Sequence, residues 1–212
     1  MIITIDGPAG AGKSTVAKAL ARRLGYRFLD TGAMYRAVTL AAMRRGLDDS
    51  RPEEIVALVG NIEVIVEEDR VLLDGDEVTA EIRTPEVTAN THWAADNPGV
   101  REQLVEWQRR IGKSEDIVSE GRDQGTVVFP DAQCKIFLTA TPAERARRRA
   151  ADLSARGQSL SEEEVLSQQT QRDRRDESRA CGPLIAAKDA VEVITDGLSQ
   201  QEVVDRLAKL VP

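Results

Sequence analysis

The sequence predicts an α/β fold in which parallel strands lie beneath helices, and three observations predict it. A β-branched run at residues 2–5 ends at Asp6-Gly7 and leads through a glycine-rich loop into residues 14–24, where Val16, Ala17, Leu20, Ala21 and Leu24 recur at helical spacing. Two later runs repeat that order: Lys135-Ile136-Phe137-Leu138-Thr139 precedes Thr141, Pro142 and Glu144, and Val191-Glu192-Val193-Ile194-Thr195 precedes Ser199 and Glu202. Aromatic residues are only 3% of the 212 residues, so the core has to be built from Leu, Ile, Val and Ala, which suits strands covered on both faces. That length fits one folding unit over residues 1–212.

Each element follows from local chemistry. Gly25 stops the first helix, and a second runs from about Gly32 to Arg45 before Gly46. Ser50 and Glu53 read as a capping box for a third helix ending near Val59. Between Asn61 and Glu81 the pattern changes to short pieces, Ile62 to Val66 and Val71 to Leu73, separated by Glu67-Glu68-Asp69 and Asp74-Gly75, a small antiparallel insert. Pro85 and Pro98 each suit a first helical turn, and Val100, Leu104, Trp107 and Ile111 form one apolar stripe after the second. The parallel pattern resumes at Asp116 to Ser119. Thr141, Pro142 and Glu144 open a helix continuing to Gly157, a charged helix spans about Ser161 to Arg179, and Ser199 with Glu202 cap the last helix.

Composition excludes several classes. Apolar residues at 41% and charged residues at 31% describe a globular chain, and a net charge of −7 gives no overall positive field for nucleic acid. Cys134 and Cys181 lie far apart without metal-ligand spacing, and His92 is the only histidine, which argues against zinc and disulfide architectures. The first residues lack a basic stretch and enter the glycine-rich loop directly, so no signal peptide is expected, and no apolar run approaches membrane-spanning length. A cytoplasmic location is expected, and the absence of a long apolar heptad points to a monomer.

Gly7-Pro8-Ala9-Gly10-Ala11-Gly12-Lys13-Ser14, followed by Thr15, matches the phosphate-cradling pattern G-x-x-x-x-G-K-[ST] between a strand and a helix. Glycines let backbone N–H groups point inward, the helix N-terminus adds partial positive charge, Lys13 reaches the β- and γ-phosphates, and Ser14 is a ligand for Mg²⁺. A phosphate loop does not name a reaction. The chain lacks an Asn-Lys-x-Asp guanine motif, and no clear apolar strand ends in a lone Asp as in a motor ATPase.

Three charged segments then point to a second, anionic substrate. In Asp30-Thr31-Gly32-Ala33-Met34-Tyr35-Arg36, Thr31 is placed to cap the next helix, and Arg36 follows one turn later. Taken alone, Arg36 also fits a surface arginine. Glu120-Gly121-Arg122-Asp123-Gln124-Gly125 follows a strand, where ligands of open α/β sheets collect, although a turn with an exposed ion pair has the same spacing. Arg172 to Arg179 packs four arginines into eight positions, with Arg172, Arg175, Asp176 and Arg179 on one helical face. Arg145, Arg147, Arg148 and Arg149 form a second run. Either run also fits a solvated helix face. Their coincidence favours phosphoryl transfer between two anions, which needs several fixed positive charges and little acid–base chemistry when the acceptor is already an ionised phosphate.

These residues resemble the bacterial cytidylate kinase family, a branch of the nucleoside monophosphate kinases, essentially from Met1 to Pro212. The resemblance is carried by Ile3 to Pro8 with the phosphate loop, Leu29 to Arg36, Ile82-Arg83-Thr84-Pro85-Glu86-Val87, Gly121 to Asp131, Lys135 to Leu138, and Arg172 to Asp176 through Arg179. It implies a P-loop kinase fold with a five-stranded parallel sheet and helices on both faces. It also implies an enlarged monophosphate-binding insert over about residues 31–112 and a short mobile lid near 150–165. ATP with Mg²⁺ would be the donor, and CMP and dCMP would be preferred acceptors over UMP. By position, Arg36, Arg122 and Arg172 would hold the acceptor phosphate with Thr31 close by, and Lys13, Arg122 and Arg172 would be the catalytic cations. Arg101, Asp123 and Arg179 would read the cytosine edge, and Asp176 the sugar. The chain departs from the family at Asn90-Thr91-His92-Trp93, where His92 stands in place of a small hydroxyl residue near the base; it is not counted as a site residue. Two other readings remain open on residues alone: a P-loop kinase for another small acceptor such as shikimate, gluconate or AMP, and a nucleotide-switched binding protein.

Overall fold

The computed structural model describes residues 1–155, 157 and 160–212. In chain order its elements are β1 (Ile2–Asp6), α1 (Lys13–Leu24), β2 (Arg27–Asp30), α2 (Thr31–Arg44), α3 (Pro52–Val59), β3 (Val64–Val66), β4 (Val71–Leu73), β5 (Asp76–Glu77), α4 (Pro85–Asn90), α5 (His92–Ala95), α6 (Pro98–Ser114), β6 (Ile117–Gly121), β7 (Cys134–Thr139), α7 (Pro142–Ala155), α8 (Glu162–Ser178), β8 (Val191–Ile194) and α9 (Gln200–Ala208). Five strands form the parallel sheet in the order β2-β6-β1-β7-β8, and β3-β4-β5 form a separate small sheet. The chain divides into two compact units, one of Met1–Tyr26 with Val118–Pro212 and one of Arg27–Ile117. Among the described residues no helix is long and apolar enough to cross a membrane.

In the first unit β1 pairs in parallel with β7, Ile3 opposite Cys134 through Asp6 opposite Phe137, and β7 pairs with β8 from Ile136 opposite Val191 to Thr139 opposite Ile194. Ile3, Ile5, Ile136 and Leu138 are wholly buried and so is Thr4 between the first two, the near-continuous burial of strands covered on both faces. Helix α1 stops at Gly25, whose positive φ of 70° lets its N–H turn back onto the carbonyls of Ala21 and Arg22. Helices α7 and α8 share an apolar seam of Ala146, Leu153 and Val165. Because β6 and β7 flank β1, the chain leaving β6 crosses β1 to reach β7; ligands of open α/β sheets collect at the carboxyl ends beside such a reversal.

The second unit is built around α2, whose residues Ala37 to Ala42 are all buried. Its antiparallel sheet pairs Val64 with Leu73 and Val66 with Val71, and Asp74-Gly75 makes the hairpin turn with φ of 52° and 89°, the left-handed pair that a two-residue connection demands.

Several sequence expectations change. Residues 27–30 form a strand not read from the sequence; four residues with only Phe28 and Leu29 apolar are too short to show a period. The Ser50–Glu53 capping box does not form. Asp48 Oδ1 takes both the N–H and the hydroxyl of Ser50, so α3 begins at Pro52 after Arg51 and has no side-chain cap. Helix α7 ends at Ala155, and Gly157, with φ of 74°, donates its N–H to Ser154 O in the left-handed geometry that terminates a helix. Of the expected lid, Arg156, Gln158 and Ser159 lie outside the described residues.

Candidate active site

The phosphate loop is shaped by what surrounds it. Gly7 has φ of 147°, and a Cβ there would sit 2.0 Å from Leu138 O, so β7 presses against the loop where no side chain fits. Gly12 precedes α1 with φ of 89°, and the first turn of that helix carries neither a capping side chain nor an acid. Its opening N–H groups therefore face whatever anion the loop receives.

Lys13 is buried at 5% exposure, and its Nζ donates to Pro8 O at 2.8 Å. Burial lowers its pKa to about 7, with the Arg122 guanidinium adding to the effect, Glu120 opposing it, Arg172 adding again and Asp6 opposing. Ser14 Oγ donates to Glu120 Oε1 at 2.6 Å. Asp6, at the end of β1, accepts the N–H groups of Gln124 at 2.9 Å and Gly125 at 2.7 Å. Burial nevertheless raises its carboxyl to about 6, the two backbone bonds pulling the other way. Asp6 thus ties the root of the phosphate loop to the turn that follows Arg122 and Asp123. That turn is a short π-helix, Gln124–Val128, a geometry that recurs at functional sites.

Helix α8 supplies the opposing wall. Arg122 Nε donates to Asp176 Oδ2 at 2.8 Å, and Arg179 Nη2 holds the other oxygen of the same carboxylate. Burial pushes the Asp176 carboxyl up, but Arg122, Arg179 and Arg172 outweigh it and hold it below the usual range. The buried stripe of α8 is Val165, Gln169, Asp173 and Asp176, and Arg175 is exposed, so the expected face of Arg172, Arg175, Asp176 and Arg179 is turned. Asp173 points inward instead, to Arg145, while Arg175, two residues on, falls on the opposite side of the helix. The exposed-pair reading of Arg122-Asp123 also fails: Asp123 is buried, and Arg122 pairs with Asp176. In the other arginine run Arg145 is buried, Arg148 half-buried against Thr195, and Arg147 exposed.

The second unit carries Thr31, Arg36 and Arg101. Thr31 is buried but is not the cap: Asp30 takes that role, its Oδ1 accepting from Ala33 N at 2.9 Å, because the chain becomes helical one residue earlier than expected. The other oxygen of Asp30 accepts from Arg83 Nη2 at 3.1 Å and lies 3.5 Å from Arg36 Nη2. Buried Arg101 donates to Ala95 O and stacks its guanidinium 5.6 Å from the centre of the Tyr35 ring. Thr91 donates its hydroxyl to Val87 O, and His92 sits with Nδ1 2.9 Å from Ala89 O.

The first unit therefore gathers Gly7 to Thr15, Arg122, Asp123, Arg172, Asp176 and Arg179, and the second holds Thr31, Arg36 and Arg101. The sequence reading missed Glu120, Asp6, Asp30 and Asp173. Glu120 carried a legible signal, since Ile117-Val118-Ser119 is an apolar strand ending in an acid; Asp173 stood inside a run read for its arginines. Ser14 and Glu120 offer two hard oxygen ligands to a divalent cation that takes its remaining ligands from phosphate and water, a donor set that fits Mg²⁺. Among the described residues no cluster of three or more His, Cys, Asp or Glu side chains stands ready to hold a metal alone.

This geometry agrees with what the chain is similar to. A family model described as cytidylate kinase matches residues 3–212. The cytidylate kinase of Rhodopirellula baltica is 53% identical over 211 residues, covering 100% of this chain and 92% of that protein. That of Pelotomaculum thermopropionicum is 48% identical over 207 residues, covering 95% and 92%. The crystal structure of an uncharacterized protein from Eubacterium ventriosum aligns with a TM-score of 0.54 at 14% identity, covering 99% of this chain and 96% of that one, which shows the fold alone. The phosphate loop, the arginine-lined wall and the match along the whole chain place this protein in the cytidylate kinase family of nucleoside monophosphate kinases.

Proposed function

We propose that the chain transfers the γ-phosphoryl group of ATP to CMP or dCMP, giving ADP and CDP or dCDP. The observation that carries this reading is the gathering of Arg122 and Arg172 around the buried phosphate-loop lysine, whose pKa burial lowers most and these two guanidinium groups lower further. A site with this much fixed positive charge suits a reaction in which two phosphates must approach each other. Gly7 through Thr15 bind the ATP phosphates. Arg36, Arg122 and Arg172 hold the acceptor phosphate with Thr31 close by, and Lys13, Arg122 and Arg172 stabilise charge on the transferring group. Ser14 and Glu120 would hold Mg²⁺, which would offset the negative charge of the nucleotide phosphates.

Arg101, Asp123 and Arg179 read the cytosine edge. Asp176 takes the sugar hydroxyl: each of its oxygens already accepts one arginine and keeps a second lone-pair direction. No general base is required, because the acceptor phosphate is ionised at neutral pH. The short lid near residues 150–165 shields the transferring group from water, and the enzyme works as a cytoplasmic monomer. A coupled assay of ADP release over CMP, dCMP, UMP, AMP, shikimate and gluconate tests the reading. Strong release with CMP and dCMP is expected, and ATP turnover indifferent to the acceptor would refute it.

A further inference from the structure

The two peptide planes before the glycine-rich turn, Pro8–Ala9 and Ala9–Gly10, are both gripped from outside the loop. Ala9 N–H donates to Asp173 Oδ1 at 3.2 Å, and Ala9 O accepts from Arg145 Nη1 at 2.9 Å. The same Arg145 Nη1 is paired with Asp173 Oδ2, and both side chains are buried. Arg145 is itself fixed by Nε donating to Ala140 O at 3.1 Å. One ion pair, formed between α7 and α8, therefore holds both polar groups of one loop residue.

Peptide planarity gives this grip a consequence. Within a trans peptide the C=O and the N–H point in opposite directions. Turning Ala9 N–H toward Asp173 sends Pro8 O the other way, and Pro8 O is the atom that receives Lys13 Nζ. Turning Ala9 O toward Arg145 likewise sends Gly10 N–H away from Arg145. The packing leaves no slack: a Cβ on Gly10 would lie 2.5 Å from Gln169 Nε2 and 3.3 Å from Arg145 O, and Gln169 Nε2 donates to that same carbonyl.

We propose that Arg145 and Asp173 are positioning residues for the phosphate loop: their ion pair sets the direction of two consecutive peptide planes, and so both the perch of Lys13 and the aim of the Gly10 N–H toward phosphate. This goes beyond the kinase reading and rests on it only in taking the loop to bind a nucleotide. Asp173 lies on α8 between Arg172 and Asp176, so the same contact fixes the wall residues to the loop. An ion pair that served only to join α7 to α8 would be replaceable by apolar side chains of similar volume, which often keep or raise stability. An ion pair that orients peptides is not replaceable in that way.

The test uses ADP as the probe, by titration calorimetry on the full chain, with the melting temperature of each variant measured alongside. The double variant Arg145→Met/Asp173→Leu is expected to melt near or above the parent and to bind ADP at least tenfold more weakly. Asp173→Asn keeps an oxygen for Ala9 N–H and loses the charge, and is expected to fall between, at roughly three- to tenfold. If the double variant fails to fold, Asp173→Asn decides alone. Folded variants that bind ADP within threefold of the parent would overturn the proposal. ADP binding needs no acceptor, so a chain that shows this loss yet phosphorylates no CMP would sink the proposed reaction and leave the loop assignment standing.

Discussion

Ser14 and Glu120, 106 residues apart in sequence, meet through a 2.6 Å hydrogen bond in which the phosphate-loop hydroxyl donates to the carboxylate at the end of β6. The bond poses the serine oxygen and the carboxylate together, where both would hold a divalent cation. Glu120→Gln preserves size and an acceptor for Ser14 but removes the charge. The midpoint of a Mg²⁺ titration of activity is expected to rise about tenfold or more, the scale for losing one ionised ligand. An unchanged midpoint would exclude Glu120 from the metal set.

Lys13 gives a pH prediction whose sign follows from its neighbours. Burial, Arg122 and Arg172 bring its pKa to about 7 in the ligand-free protein, against the opposing pull of Glu120 and Asp6. A bound polyphosphate favours the charged form, so ADP binding at pH 8 is expected to take up a proton. Calorimetry at that pH in buffers of different ionisation enthalpy should show the uptake, and Lys13→Met should abolish it. The free protein carries the reverse linkage: between about pH 7 and the ordinary lysine value of 10.5, the unfolded chain binds more protons, and this group adds stability as pH rises. Buffer-independent binding enthalpy at pH 8 would contradict the assignment.

The acceptor arginines are separable from the donor site. Arg36→Ala, Arg122→Ala and Arg172→Ala are each expected to weaken acceptor use by about 2–4 kcal/mol, the cost of removing one partner of a desolvated charge-assisted contact. ATP affinity should change little for Arg36, which pairs with Asp30 in the second unit. Equal losses in ATP and CMP binding for that variant would count against an acceptor role.

Base choice is expected to rest on Asp123, whose side chain is buried at 3% exposure. Cytosine offers an amino donor where uracil offers an oxygen, and a buried carboxylate bonds the first and faces the second with lone pairs opposed. Sites of this kind discriminate by factors of ~10⁴. Asp123→Asn allows the side chain to donate, so CMP use should fall while UMP loses less or gains. A CMP:UMP ratio of kcat/KM within about threefold of the parent, under ~0.7 kcal/mol, would show that Asp123 does not read the base.

The phosphate loop and most helices were legible because each has a local cause: Gly25 at a stop, proline in a first turn, the Ser199–Glu202 box. What escaped depends on partners far along the chain. Ser50 has the right spacing for a cap, yet Asp48 takes its hydroxyl first, and no spacing rule ranks those two acceptors. Arg122 and Asp123 are neighbours in sequence, but Arg122 finds its carboxylate 54 residues away at Asp176. Helical spacing in α8 aligned the arginines on one face, whereas the partner of Asp173 is Arg145 on another helix, which no spacing within α8 discloses.

The stripe of α8 that begins with Val165 and continues through Gln169, Asp173 and Asp176 changes character along its length. Greasy contact is indifferent to small sliding, while a hydrogen bond or ion pair tolerates only fractions of an ångström. The helical hairpin is therefore a lever with a locked end and a forgiving end. An engineer could exchange Leu153 and Val165 in the apolar seam for side chains of similar volume and expect the chemistry at the locked end to continue, whereas displacing α8 by a single residue at Asp173 would be felt by the nucleotide loop at once.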